Sequence, residues 1–273
     1  MLKSALRLSN RKVRLLVGLL VGGLLFLHLS QHMEAKPRSV EMYALEGETV
    51  DLQDRSLQER IEQWARTDHV KLLELCLAHY RRGIHDYRCT FTKQERLAGT
   101  LQDAQEMDVK FLDEPFSVAM RWTSNPPMGD RILYVQGRYA GDMLIHLKSG
   151  LLRAIAGNPV RRKPDCDEAM KNTRRPVTMF GFEKALVSLL EVYRAAAEAG
   201  DLQQSFKGYY EIAGQKTVKL ERILPAKDGY PAHRTFVYID VENLVPVCIE
   251  AFDWNGQRTS QYVYSNVRLN VGL

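Results

Sequence analysis

From Tyr87 onward the chain abandons helical spacing for strict alternation, and this switch constrains its fold more than any other feature. Upstream, Leu57, Ile61 and Trp64 recur at helical spacing. Val70, Leu72, Leu73, Leu75 and Leu77 then form a broad apolar face after Asp68, a residue type that caps helices. Arg81-Arg82-Gly83 supplies the last-turn cations and the glycine with which such a helix ends. After it, Tyr87, Cys89 and Phe91 alternate with Arg88, Thr90 and Thr92, so the first set faces a core. Beyond a hairpin tip at 97–100, Met107, Val109 and Phe111 form the inner face of the return strand. Phe116, Val118, Met120 and Trp122 share one side of the next, and strands follow over 131–135 and 143–147.

The stretch 158–176 is polar and irregular, with Arg161, Arg162, Lys163, Lys171, Arg174 and Arg175 beside Asp165, Asp167 and Glu168. A loop of that length inside a compact domain is uncommon and often functional. A helix is predicted over 182–199, with Gly200 just past its end, followed by five strands to residue 269. Helices, strands, a helix and strands again make an α+β domain with one large antiparallel sheet of roughly nine to eleven strands. A sheet that wide twists, curls or closes. The helices can plug its concave side, leaving either a solid core or a ligand cavity, and the pattern alone fits both.

The first 38 residues fix the compartment. Lys3, Arg7, Arg11, Lys12 and Arg14 precede an uncharged run from Leu15 to Gln31, the order of an export signal. Residues 1–35 read as an uncleaved anchor or a cleaved signal, and 36–54 as a tether to a domain over 55–273. The positive-inside rule then puts that domain outside the cytosol, held at the membrane by the anchor or released after cleavage. This segment also carries the net charge of +5, since residues 39–273 hold 31 basic and 32 acidic side chains. The domain therefore has no basic footprint for nucleic acid.

Chemistry-bearing motifs are sparse. The sequence lacks G-x-S-x-G, P-loop, H-E-x-x-H and Rossmann fingerprints. His85-Asp86 and the pair Asp240 and Glu242 are the nearest approach to an acid–base site, and Asp165–Glu168 to a cation site; each also reads as solvated loop. Cys76, Cys89, Cys166 and Cys248 have no metal-ligand spacing and read as core thiols or one structural bridge. No enzyme, cofactor or metal is expected.

Several ordered stretches resemble a known family. Phe91-Thr92-Lys93-Gln94-Glu95, then Pro115 leading to Arg121-Trp122, and 132–137 before a glycine turn are similar to the LolA/LppX-like lipoprotein-sorting superfamily. More closely, 87–96, 114–118, 236–240, Val245-Pro246-Val247 and Tyr262-Val263-Tyr264 resemble a bacterial domain-of-unknown-function family numbered 1571, known mainly from planctomycetes. That resemblance implies a LolA-like half-open β-barrel with a helical lid. It further implies a bacterial envelope protein, facing the periplasm from the inner membrane or released there after cleavage, that is a non-catalytic carrier or acceptor for a lipid, a lipoprotein acyl chain or another apolar ligand. The cavity would then be lined by Phe91, Val109, Phe111, Phe116, Val118, Met120 and Trp122, with helices 68–81 and 182–199 as lid. Arg121 would either latch that lid or face solvent. The alternative is a membrane-anchored sensor or scaffold, with a filled core and an envelope protein as partner.

Overall fold

The computed structural model describes residues 42–44, 55–148 and 159–273, together with Gly150 and Ala154. Helix α1 (Arg55–Thr67) and helix α2 (His69–Gly83) meet at Asp68, whose Oδ1 accepts the Lys71 backbone N–H at 3.1 Å. That bond satisfies one of the donors that a helix start leaves unpaired. Strands β2 (Asp86–Leu97), β3 (Thr100–Leu101), β4 (Gln105–Leu112), β5 (Ser117–Ser124), β6 (Gly129–Val135), β7 (Met143–Leu147) and β8 (Val160–Arg162) follow a short β1 (Met42–Ala44). After one helical turn, α3 (Asp167–Met170), comes the long helix α4 (Phe182–Glu198). The chain ends in β9 (Gln203–Ile212), β10 (Gln215–Ile223), β11 (Arg234–Asp240), β12 (Pro246–Phe252) and β13 (Arg258–Leu269).

All pairings are antiparallel, in the order β1-β9-β10-β11-β12-β13-β2-β4-β5-β6-β7-β8, with β3 paired to β2 alone. The fold is α+β, a large open antiparallel sheet with helices on one face. Pairing of β13 with β2, Tyr264 opposite Phe91, fuses the two meanders into one sheet. Two hairpin turns have both central residues left-handed, Ala98-Gly99 (φ 47° and 81°) and Ala213-Gly214 (φ 50° and 81°). That geometry matches the right-handed twist of the strands they join.

The sheet has thirteen strands among the described residues, more than the alternation predicted. The additions β1, β3 and β8 span three, two and three residues, too few to show a period. Of these, β1 falls within the predicted tether and β8 within the stretch read as irregular loop. All four cysteines are free, with Cys76, Cys89 and Cys248 buried as core thiols. No helix among the described residues is long and apolar enough to cross a membrane. The predicted anchor or signal segment and most of the tether lie outside those residues.

Helix α4 lies over β12, β13 and β2, and α2 packs beside it. Leu72, Leu73, Cys76 and Tyr80 of α2 and Phe182, Leu186, Leu190 and Tyr193 of α4 are almost wholly buried there. The first residue of α2 is the buried His69, whose Nε2–H donates to Ala65 O at 2.8 Å while Nδ1 lies 3.4 Å from the Tyr193 hydroxyl. Burial pushes its pKa down to about 4, against smaller opposing effects of the Ala65 carbonyl and Asp68. An unfolded histidine titrates near 6.5, so only the unfolded chain gains this proton as pH falls from 6.5 to 4. Stability should therefore be full above pH 6.5 and fall by up to about 3 kcal/mol across that window. Urea unfolding at pH 4.5 and 7 should show His69→Gln losing less stability than the wild type over this interval. An equal loss in both proteins would remove His69 as its source.

Candidate functional site

The strand register divides the inner face of β2, β4 and β5 into a closed end and an open end. Tyr87, Phe111 and Val118 stand side by side at one end, and Phe91, Met107 and Trp122 at the other. Over the closed end run Phe180, Gly181 and Phe182, with Phe182 and Tyr87 ring centroids 4.7 Å apart. Gly181 has φ 113°, and a Cβ there would lie 2.9 Å from Phe111 Cε2, so only glycine lets the chain cross this close.

Past that crossing the packing opens into a cleft of about 310 Å³. Its floor comprises Phe91, Met107, Met120, Trp122, Ile132 and Ile145. Val160 of β8 extends that floor beside Ile145, and the cover is the rest of the segment 160–181, through Pro164, Ala169, Val177 and Phe180. Met128 and Met179 stand at its rim, 62% and 39% exposed. Five of the nine methionines line it, Met107, Met120, Met128, Met143 and Met179. Thioether side chains are flexible and polarizable, which suits a surface that must fit more than one shape. The Trp122 indole N–H donates to Gln105 Oε1 at 2.9 Å, so its one polar atom is satisfied.

Of the predicted cavity residues, Phe91, Met120 and Trp122 line this cleft. Val109, Phe111 and Val118 lie in the filled core, and Phe116 packs against it, edge-on to Phe111 and Tyr134. Arg121 points to the opposite face, where its Nη2 lies 2.5 Å from Asp108 Oδ2 and both side chains are exposed. Helices α2 and α4 pack mainly on the filled half. They form a helical lid on that face of the sheet, and α4 reaches the cleft at Ala185; the rest of the cleft's cover comes from the 160–181 segment, whose inward apolar residues are interspersed among many charges.

The contacts that fasten this roof come from a pair the sequence pattern passed over. Lys93 and Glu95 follow Phe91 at alternate positions of β2, so they face the same interior. Lys93 Nζ lies 3.2 Å from Glu95 Oε2 and donates to Asn172 O at 3.2 Å. Glu95 Oε1 accepts the Tyr262 hydroxyl at 2.6 Å and the Arg174 backbone N–H at 3.2 Å. Burial pulls the Lys93 ammonium below the usual lysine value, with Glu95 opposing the shift. Burial, and Glu95 after it, raises the Tyr262 phenol above its ordinary value.

Of the acidic residues read as chemical candidates, Asp86, Asp240 and Glu168 have structural partners. Asp86 accepts the backbone N–H groups of Val271, Gly272 and Leu273 at 2.7, 3.1 and 3.4 Å, clamping the C-terminal end. Asp240 accepts from the Glu242 N–H at 2.8 Å and from Asn243 Nδ2 at 2.8 Å, holding the turn between β11 and β12. Glu168 pairs with Arg162. Among the described residues, no group of three His, Cys, Asp or Glu side chains is placed to hold a metal.

Solved structures similar to this chain are distant in sequence. The Mycobacterium tuberculosis lipoprotein LppX is 16% identical over 72% of this chain and 98% of its own, with a TM-score of 0.40. A putative outer membrane lipoprotein-sorting protein domain from Vibrio parahaemolyticus is 13% identical over 75% and 93%, with a TM-score of 0.33. The MucA/MucB complex structure of Pseudomonas aeruginosa matches at 12% identity over 75% of this chain and 58% of that one, with a TM-score of 0.41. This chain therefore spans little more than half of that relative. No curated protein matches it. The family described as "Protein of unknown function (DUF1571)" matches residues 84–273, from the end of α2 through the whole of the sheet beyond it, and the chain belongs to that family.

Proposed function

We propose that the domain holds the apolar chain of a lipid or lipoprotein in the cleft under the 160–181 segment, without acting on it chemically. In this reading it is a carrier or acceptor of the bacterial envelope, borne on the periplasmic side by its N-terminal anchor or exported there by a signal. The supporting observation is the cleft itself, an apolar space of about 310 Å³ beside an otherwise filled core. That size sits at the low end of the roughly 300–1,000 Å³ typical of ligand pockets. Taking a methylene as about 30 Å³, similar to a water's share of the liquid, it takes about ten methylenes of a single chain. Burying ten gains about 8 kcal/mol gross. Association alone costs at least about 4 kcal/mol, which leaves cargo exchangeable.

Native mass spectrometry of the full chain, released from detergent after purification from a bacterial envelope, tests this directly. A co-purifying lipid of defined mass is expected. Ile132→Glu, which sets a carboxylate on the half-buried floor, should lower its occupancy at least tenfold without lowering the melting temperature by more than a few degrees. A lipid-free wild-type mass, with a melting temperature indifferent to added lipid, would favour an interaction scaffold. The N-terminus separates the two forms of the proposal. A carrier should be recovered soluble and beginning near Lys36, an acceptor intact in the membrane fraction.

A further inference from the structure

The charges lining the cleft do not balance. Lys93, Arg162 and Arg175 face it, against only Glu95 and Glu168. Arg162 is paired with Glu168. Glu95 is fully engaged, with Lys93 on one oxygen and the Tyr262 hydroxyl and Arg174 N–H on the other. Arg175 is exposed at the edge of the cleft and has no acidic partner among the described residues. Tyr262 and Tyr264 of β13 line the same cleft as Arg175, and its positive charge opposes the burial that raises both of their hydroxyls.

We infer that Arg175 receives the anionic head of the cleft's occupant, which is a single-chain amphiphile ending in a carboxylate or phosphate. The inference rests on the proposed chain-binding role of the cleft and adds the chemistry of the other end. A volume that takes about ten methylenes suits one chain rather than the several of a multiply acylated anchor. An arginine fork pairs with two oxygens of a carboxylate or phosphate at once, which a lysine cannot match. The remaining length of a longer chain can leave past Met128 and Met179 at the exposed rim.

The test is photo-crosslinking of the full chain in detergent at pH 8, with diazirine-bearing hexadecanoate and with its methyl ester. The wild type should label cleft peptides with a half-saturating concentration about tenfold lower for the acid than for the ester. Arg175→Gln should abolish that preference while leaving ester labelling unchanged, and Arg175→Lys should keep part of it. Equal labelling by acid and ester in the wild type would overturn the head-group role and leave the apolar cleft standing. So would a preference that survives Arg175→Gln. Equal labelling by acid and ester, together with inorganic phosphate binding that is lost in Arg175→Gln, would make Arg175 a free-anion site and overturn the amphiphile. If neither probe labels the cleft, it holds no chain, and both the proposed function and the head-group role fall.

Discussion

Phe111→Ala should destabilise the domain by about 3–5 kcal/mol, the range for deleting a large aromatic side chain from a filled core. Phe111 is 2% exposed. Its ring stacks on Tyr87 with centroids 4.6 Å apart and meets Phe116 edge-on at 5.4 Å. Above it the chain crosses at Gly181, so closely that a Cβ there would be 2.9 Å away. Neighbours held by a sheet on one side and a helix start on the other collapse poorly into a vacated space, which puts the cost high in the range. The alternation alone allowed Phe111 to line an open cavity. There, truncation would remove few contacts and widen the ligand site. The urea midpoint of the variant separates these cases. A loss below about 1 kcal/mol, with greater lipid capture, would move Phe111 from the core to the cleft.

Alternation carries one bit per residue, facing in or facing out, and the inward sets of β2 and β4 obey it. Tyr87, Cys89 and Phe91, and Met107, Val109 and Phe111, all face inward as their spacing predicts. Asp68 caps α2, and Gly200 closes α4 with φ 69°, because both positions demand particular residue types. Nothing in the period distinguishes an inward residue that meets another side chain from one that meets a cleft. Val109 and Met107 are two apart on one strand, yet only Met107 lines the cleft. What separates them is where the 177–182 segment crosses β2 and β4, through contacts between residues 89 and 69 positions apart. The roof itself was hidden for a different reason. Its inward residues, Pro164, Ala169 and Val177, are scattered among charges, and the one strand of the 160–181 segment has three residues. The Lys93–Glu95 pair was legible as inward-facing. Its role was not, because its partners Asn172, Arg174 and Tyr262 lie 79 and 167 residues away.

Glu95→Ala should cost about 3–5 kcal/mol, since it strands the Lys93 ammonium in the interior with only a backbone carbonyl for company. The same change removes the acceptor for the Arg174 N–H and the Tyr262 hydroxyl. Stability alone cannot separate loss of an ion pair from loss of a fastening, but a double replacement can. Lys93→Met with Glu95→Leu fills the space with apolar groups of similar size, and exchanging a buried pair in this way is often neutral or stabilising. The double variant should therefore recover most of the global stability. Its 168–180 backbone amides should still exchange hydrogen faster than in the wild type, because neither replacement can bond Asn172 or Arg174. If exchange across 168–180 is as slow in the double variant as in the wild type, packing alone holds the roof and the pair has no fastening role. Faster exchange at restored stability would explain why β2 keeps two charges in an otherwise apolar wall. The pair would then fasten the 168–180 side of the cleft to the sheet, through bonds that can be broken without unfolding the core beside it.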